Sequence, residues 1–351
     1  MSGFQKLKTL LDDPKITEIM INGSYATFIE VEGKKQKIEV TFDKEEIEEI
    51  IEEIFNKKGK RIDDNHPYGD VCLEDGSRVN VITFPLSRFG TSITIRKFSQ
   101  EIKTLDDLIK RETLTKRMAQ FLVACIQGKL NILFSGATGV GKTTTLEMLS
   151  YYIPEQERVI TIEDTAELKL HHPNLVSLET RSGQEGREVS LRDLIKNSLR
   201  MRPDRIIVGE VRGEEALDMI QAMSTGHRGT LAVIHGNSPQ EVVARLETLI
   251  LSTGIKLPIE EVRKMIASTL DIIVQQERFP DGGRRITHIT EVRGMERGEI
   301  VLQDLFVFRS KEITSEGKIK GTFKTVMRMY PRFFADFQRK GLLDERVFSR
   351  E

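Results

Sequence analysis

The sequence contains no tryptophan and only two cysteines, Cys72 and Cys125, among 351 residues. Neither cysteine belongs to a CxxC pair, so neither a zinc site nor a disulfide framework is expected, and a reducing, cytoplasmic compartment fits this usage. No run of about 18 apolar residues occurs, so no segment is predicted to span a membrane. Residues 1–11 mix lysine and leucine without an apolar centre and are not predicted to be a signal peptide. Any work at a membrane is therefore expected to depend on docking.

A surplus of basic charge is also absent, because 53 lysines and arginines face 54 aspartates and glutamates and leave a net charge of −1. Dedicated nucleic-acid binders usually carry a basic surplus, so no nucleic-acid partner is expected, although a local basic stripe remains compatible with this balance. The length of 351 residues suffices for two domains with separate cores.

Two parts of the chain differ in pattern. Residues 1–98 predict a small α/β domain that begins with strands at Ile16–Ile21 and Ala26–Val31 and continues with an alternating run at Lys37–Phe42. Asp43 is a candidate N-cap for an amphipathic helix that extends to Lys57.

Residues 99–112 are polar and charged and are interpreted as a linker. The remaining residues, 113–351, alternate apolar strands with helices, which predicts a parallel sheet with crossover helices. From Asp271 to Val307 the pattern changes to short strands and turns, which indicates antiparallel hairpins added to that sheet. The tail at Pro331–Phe348 is predicted to be an amphipathic helix.

The strongest motif, at residues 136–143, fits the pattern GxxxxGK[ST] and lies between an apolar strand and a helix. Glycines let the backbone N–H groups turn toward phosphates, and the helix N-terminus favours negative charge. Lys142 would reach the β- and γ-phosphates of ATP, and the Thr143 hydroxyl would bind Mg²⁺. The candidate nucleotide-binding residues are Gly136, Ala137, Thr138, Gly139, Val140, Gly141, Lys142, Thr143 and Thr144.

A second apolar strand, Arg205–Val208, leads to Gly209 and Glu210. A strand-end acid beside a P-loop can position the attacking water, so Glu210 is the candidate catalytic carboxylate. Glycine at position 209 replaces the usual aspartate of such a strand, which makes direct metal ligation there doubtful. The alternative is an acid that only caps the next helix.

Three further acids, Glu163, Asp164 and Glu167, follow a third apolar strand. Clustered carboxylates at this position are candidates to hold Mg²⁺ or order its waters. The alternative is a solvated acidic turn or a helix cap.

Histidines and arginines complete the candidate set. His227 and His235 flank another apolar strand, where they would sense the γ-phosphate or relay its loss, although a single histidine is more often structural. Arg96, just before the linker, is the first candidate for a guanidinium that stabilises the developing phosphate charge. The other candidate arginines are Arg88, Arg181, Arg192 and Arg202.

This order of motifs resembles the type II/type IV secretion ATPases, and most closely their CpaF (TadA) branch, which powers Flp-type tight-adherence pili. The resemblance extends beyond the P-loop to Asp13–Gly23, Ile93–Phe98, Thr290–Met295, Leu302–Phe306 and Pro331–Phe333. It implies a RecA-like ATPase domain over residues 113–351 and a PAS-like domain over residues 1–98.

The resemblance further implies a hexamer that binds ATP and Mg²⁺ between the two domains and drives an inner-membrane platform protein from the cytoplasmic face. It implies catalytic roles for Lys142, Glu210 and Arg96, an acidic box at Glu163, Asp164 and Glu167, and a histidine box at His227 and His235. The four-cysteine zinc element of some pilus and type II motors is not expected, since no cysteine follows Cys125. Two alternatives stay open: a nucleic-acid translocase of the same architecture, and a regulatory module that binds ATP with little turnover.

Overall fold

A computed structural model describes residues 2–31, 33–97, 102–181, 187–314 and 317–349. The chain divides into two units, one formed by residues 1–101 with 181–188 and the other by residues 102–180 with 189–351. None of the helices described in these ranges is both long enough and apolar enough to cross a membrane.

The first unit is a six-stranded antiparallel sheet with two helices. Its elements are α1 (Gly3–Asp12), β1 (Ile16–Asn22), β2 (Ala26–Val31), β3 (Lys34–Ile38), α2 (Lys44–Phe55), β4 (Tyr68–Cys72), β5 (Arg78–Ile82) and β6 (Ser92–Arg96). The strand order is β3-β2-β1-β6-β5-β4. Asp43 caps α2 as predicted, and isoleucines at helical spacing, among them Ile47, Ile50 and Ile54, bury one face.

The strand predicted at Lys37–Phe42 is displaced. The observed β3 begins at Lys34, because its antiparallel register with β2 pairs Lys34 with Val31 and Ile38 with Thr27. Phe42 lies beyond the strand and is fully buried. The alternation of polar and apolar residues thus identified the segment but not its pairing.

The second unit is built on a nine-stranded sheet. Its elements are α3 (Leu105–Lys110), α4 (Lys116–Gln127), β7 (Ile132–Ser135), α5 (Lys142–Ser150), β8 (Val159–Glu163), β9 (Leu175–Glu179), α6 (Leu191–Ser198), β10 (Arg205–Val211), α7 (Glu215–Ser224), β11 (Leu231–Ile234), α8 (Pro239–Leu251), α9 (Ile259–Thr269), β12 (Ile272–Arg278), β13 (Arg284–Glu296), β14 (Glu299–Ile313), β15 (Ile319–Thr325) and α10 (Phe334–Arg339). The order is β15-β14-β13-β12-β7-β11-β10-β8-β9. Strands β12 through β9 in this order are parallel, and β13 to β15 are antiparallel, so the α/β fold with added hairpins is confirmed.

The segment interpreted as a linker is partly helical. Thr104 caps α3 through a reciprocal bond with Asp107, and the buried Leu105 and Leu108 join the core of the second unit. The segment was interpreted as a linker because its composition is polar, although it contains these two leucines about one helical turn apart. Residues 99–101 of the proposed linker lie outside the described ranges.

The carboxyl-terminal tail is not one continuous helix. It forms the short helix α10 and a 3₁₀ turn at Glu345–Phe348, separated by Gly341 with a φ of 69°. Phe348 packs against Phe121 of α4 at 5.7 Å between ring centroids. The aromatic residues of the tail therefore anchor two short pieces rather than one amphipathic face.

A buried polar network closes the amino-terminal edge of the central strands. The Asn131 amide donates to the carbonyl of Thr269 at 2.7 Å and accepts from the N–H groups of Gly229 at 2.9 Å and Thr230 at 3.0 Å. Asp271 accepts from the N–H of Asn131 at 2.9 Å. Two loops and two strand starts are thus held together by side chains that are almost fully buried.

We expect Asn131→Ala to lower the free energy of unfolding of the second unit by about 3 kcal/mol, because it leaves buried backbone groups without partners. Urea unfolding followed by circular dichroism measures the change. Asn197→Ala, at an exposed position on α6, is the matched control and should change stability by less than about 0.5 kcal/mol. Equal effects of the two substitutions would contradict the role of the network.

Candidate active site

The P-loop lies at the carboxyl end of β7, where the sheet geometry leaves a helix terminus open to an anion. All four residues of β7 are buried, and α5 begins at Lys142 after Gly141, whose φ is 95°. Gly136 has a φ of 148°, and a Cβ on it would lie 2.1 Å from the carbonyl oxygen of Gln276. Only glycine fits there.

Thr143 and Thr144 are half-buried in the first turn of α5, where a hydroxyl can reach a cation or a phosphate.

Lys142 is held over the loop by the loop itself. Its Nζ donates to the carbonyls of Gly136 at 2.7 Å and Ala137 at 2.8 Å, and only 7% of the residue is exposed. The same ammonium lies 3.4 Å from Nδ1 of His235. A phosphate placed in the loop would exchange these carbonyl contacts for a charge-assisted bond, so the residues present fit an ATP phosphate chain.

Glu210 and His235 meet beside the P-loop because β10 and β11 are parallel neighbours. Glu210 follows the apolar run of β10, and its Oε1 lies 2.7 Å from Nε2 of His235. His235 itself follows β11. Glu210 also forms an ion pair with Arg212. The structure therefore brings three of the candidate residues named from the sequence, Lys142, His235 and Glu210, into one continuous group.

Neighbouring charges set the protonation of this group. Burial raises the pKa of Glu210, but the hydrogen bond and charge of Arg212, with His235 and Lys142, outweigh it and bring the pKa below its ordinary value. Burial lowers the pKa of His235, and the Lys142 ammonium lowers it further against the opposing Glu210 charge. At neutral pH the site therefore holds an ionised carboxylate beside a neutral imidazole.

Two adjacent glutamines, absent from the predicted site, fix the loops around it. Gln276 donates to the carbonyl of Val140 at 2.7 Å and accepts from the Thr145 hydroxyl at 2.9 Å, which ties β12 to the P-loop and α5. Gln275 donates to the carbonyl of Gly236 at 3.0 Å, next to His235. The only available sequence signal was a polar pair at the end of the apolar run Ile272–Val274.

The acidic segment after β8 does not form a metal cluster. Glu163 is 3% exposed, and its Oε1 accepts from the N–H groups of Glu167 and Leu168, both at 3.0 Å, while Asp164 is exposed. Across the described ranges, no group of three or more His, Cys, Asp or Glu side chains is arranged to hold a metal ion. The proposed joint metal site at Glu163, Asp164 and Glu167 is therefore corrected: Glu163 organises the loop, because the turn of the backbone directs its N–H groups at the carboxylate.

Glu163 also explains the glycine that replaces the usual aspartate in β10. A Cβ on Gly209 would lie 2.7 Å from Cγ of Glu163.

Burial raises the pKa of Glu163 to about 7, with the charges of Glu167 and Glu147 adding to the rise and the two backbone N–H groups opposing it. Glu163 Oε2 has no hydrogen-bond partner within the described part of the chain.

The other predicted residues lie away from this group or in the other unit. His227 precedes β11, whereas the P-loop follows the parallel strand β7, so within one chain they occupy opposite edges of the sheet. Arg96 ends β6 of the first unit, where its Nε lies 3.9 Å from Oε1 of Glu18. Among the other arginines, Arg192 is paired with Asp218 at 2.7 Å and with Glu214 at 2.8 Å.

A cavity of about 480 Å³ adjoins the P-loop on the side of β11. It is lined by Ala137, Thr138, His235, Gly236, Asn237, Glu241, Ala244 and Arg245. Small-molecule sites commonly occupy cavities of roughly 300–1,000 Å³, so the space suits a ligand of moderate size beside the loop.

Replacing Glu163 with glutamine tests its raised pKa. Below the ordinary value of 4.5 the carboxyl is neutral in both folded and unfolded chains, and as pH rises to about 7 only the folded chain keeps the proton. The stability gained from the neutral form is therefore lost across this window. We expect the unfolding free energy of Glu163→Gln, relative to the unmodified chain, to rise by roughly 2–3 kcal/mol between pH 5 and pH 8.

Urea unfolding at the two pH values measures that difference. Glu155→Gln, at an exposed position, is the control and should show no such pH dependence. A Glu163→Gln difference that is the same at pH 5 and pH 8 would show that this carboxyl titrates normally.

Comparison with known proteins identifies the family of this chain. The family model described as "Type II/IV secretion system protein" matches residues 1–282. An uncharacterized protein of Methanocaldococcus jannaschii is 44% identical over 236 residues, which cover 64% of this chain and 33% of that longer protein. Protein VirB11 of Agrobacterium fabrum is 32% identical over 293 residues, which cover 75% of this chain and 85% of VirB11.

The fold also agrees with that of a solved structure. The X-ray structure of the Legionella pneumophila ATPase DotB matches with a TM-score of 0.61 at 19% identity, covering 85% of this chain and 82% of DotB. The family model spans most of the chain, and the relation to VirB11 extends over three quarters of it. The chain therefore belongs to the type II/IV secretion system protein family.

Proposed function

We propose that this chain is an ATP-hydrolysing motor subunit that works as a hexamer in the cytoplasm and drives Flp/Tad-type pilus assembly or protein secretion through an inner-membrane platform protein. The observation that supports hydrolysis is the contiguous group of Lys142, His235 and Glu210 at the open P-loop. Membership of a secretion-protein family and similarity to the fold of the DotB ATPase support the motor role. The motif segments that resemble CpaF proteins support the pilus branch.

The geometry supports a separate role for each of these residues. The P-loop amides and the N-terminus of α5 bind the phosphates, and Lys142 leaves its loop carbonyls to contact the β- and γ-phosphates. Mg²⁺, held at the Thr143 hydroxyl, would neutralise developing phosphate charge. Ionised Glu210 orients the attacking water and accepts its proton, and transfer of the γ-phosphoryl group to that water breaks its bond to the β-phosphate oxygen.

His235 links the two ends of this arrangement. Its neutral ring lies between the Lys142 ammonium and the Glu210 carboxylate, so a movement of Lys142 toward a phosphate changes the field that Glu210 experiences. We assign His235 the role of sensing the γ-phosphate. His227 is assigned a role at the opposite edge of the sheet, where a neighbouring subunit would contact it. Arg96 is proposed to reach the nucleotide from the first unit.

A nucleic-acid translocase is the second candidate function, because the same ATP-hydrolysing site would serve it. The balanced charge and an aromatic content of only 6% disfavour it, since tracking along single strands uses basic grooves and stacked rings. Stimulation of ATP hydrolysis by single-stranded DNA, lost at high salt, would favour this alternative over the secretion motor.

Glu210→Gln should retain Mg²⁺·ATP binding and lose hydrolysis by a factor of about 10²–10⁴, because the amide cannot accept the proton of water. Single-turnover hydrolysis and the affinity for ATP are measured together. Lys142→Ala should lose both binding and hydrolysis, and Glu260→Gln, exposed on α9, is the control that should lose neither. Normal turnover by Glu210→Gln would refute its catalytic assignment.

The rate per subunit should rise with protein concentration across the range in which sizing shows assembly, because a ring completes the site with groups from neighbouring chains. EDTA should abolish the rate, and Arg96→Ala should reduce it in the assembled state. Measurements of Mg²⁺-dependent hydrolysis alongside light scattering test this expectation. Assembled rings that hydrolyse ATP no faster than isolated subunits would contradict a shared site.

A further inference from the structure

The hairpin formed by β12 and β13 extends past the end of β7 and alongside the P-loop. The last residue of β7, Ser135, pairs with Gln275 of β12, so β12 continues for three residues beyond β7. These residues pair with the first residues of β13, with Gln276 opposite Ile286 and Arg278 opposite Arg284. The tip of the hairpin therefore lies directly beside the P-loop.

One face of this hairpin tip is turned toward the P-loop. Cross-strand partners lie on the same face of a sheet, and alternate residues along a strand share that face, so Gln276, Arg278 and Arg284 project to the same side. The contacts of Gln276 with Val140 and Thr145 identify that side as the one facing the loop and α5.

The distances place Arg284 beside the last glycine of the loop. A methyl group on Gly141 would lie 3.0 Å from Nε2 of Gln276 and 3.6 Å from Cδ of Arg284. Arg284 is half-buried, so its stem packs near the loop while part of the side chain stays accessible to a ligand. Arg278 is the cross-strand partner of Arg284.

The position along the loop indicates which part of a nucleotide would be near. In P-loops the backbone amides cradle the α- and β-phosphates, and the lysine reaches the β- and γ-phosphates. Glu210 and His235 follow β10 and β11 on one side of β7, whereas Arg284 belongs to the hairpin on the other side. Arg284 is thus separated from the group that acts on the transferred phosphate.

We propose that Arg284 is a nucleotide-binding residue that contacts the α- and β-phosphates held by the P-loop. This inference rests on the proposed ATPase function and adds a residue to its binding site. A guanidinium is charged at every physiological pH and donates in a planar fork that matches phosphate oxygens. Phosphates that are not transferred keep this contact in both the ground state and the transition state, so the residue acts on affinity rather than on the chemical step.

The test compares Mg²⁺·ADP affinity, measured by calorimetry, with the kcat and KM of ATP hydrolysis in the full-length chain. Arg284→Ala should weaken ADP binding and raise KM by about 10-fold each, with kcat changed by less than about twofold. Arg284→Lys, which keeps the charge but not the fork, should give a smaller loss. Arg309→Ala, exposed on β14 in the same sheet, is the matched control and should leave both quantities unchanged.

Unchanged ADP affinity in Arg284→Ala would overturn the inference. If that variant fails to fold, Arg284→Gln replaces it and the same criterion applies. A loss confined to kcat, with ADP affinity intact, would also overturn it. Failure of the proposed function is distinguishable, because the unmodified chain would then neither bind Mg²⁺·ADP nor hydrolyse ATP, and Lys142→Ala would change nothing.

Discussion

The site depends on the register that holds β7 between β11 and β12. Ser135, the last residue of β7, is paired with Ile234 on one side and with Gln275 on the other. Strands β7 and β11 therefore end at the same level, and the residues that follow them, Gly136 and His235, lie beside Gln276 of the longer strand β12. Polar groups that are far apart in the sequence converge at the carboxyl edge of a parallel sheet, where ligands bind in open α/β folds.

Charges at this edge are coupled because they lie close together, with Lys142 buried and Glu210 and His235 half-buried. Lys142 contacts two loop carbonyls and approaches His235, and His235 approaches Glu210, which pairs with Arg212. In a partly desolvated site, each of these interactions is stronger than it would be in water. A phosphate that draws Lys142 away from the carbonyls therefore changes the balance of attraction and repulsion at His235 and, through it, at Glu210. The arrangement links binding of the phosphate to the state of the carboxylate.

Local patterns predicted the parts of the fold that are encoded locally. The loop at residues 136–143, the strand that leads to Glu210 and the alternation that gives a parallel sheet could all be read from short stretches of sequence. Gln276 could not be identified in this way, because it lies 136 positions from Val140 and reaches the loop only through the pairing of β12 with β7. Arg284 is concealed for the same reason. The helix α3 and the broken tail were misread because composition and periodicity do not report which neighbours bury a side chain.

The acidic segment shows how a departure from a motif can be understood once the packing is known. Glycine at position 209 first indicated a lost metal ligand, since an aspartate is usual there. In the folded chain the space beside Gly209 is filled by Glu163, whose Cγ would lie 2.7 Å from any Cβ at that position. The carboxylate that approaches this part of the sheet thus comes from β8 instead of β10, and it is bound by the N–H groups of Glu167 and Leu168. Gly209 and Glu163 are therefore a complementary pair: enlarging the glycine displaces the acid, and displacing the acid releases the loop that follows β8.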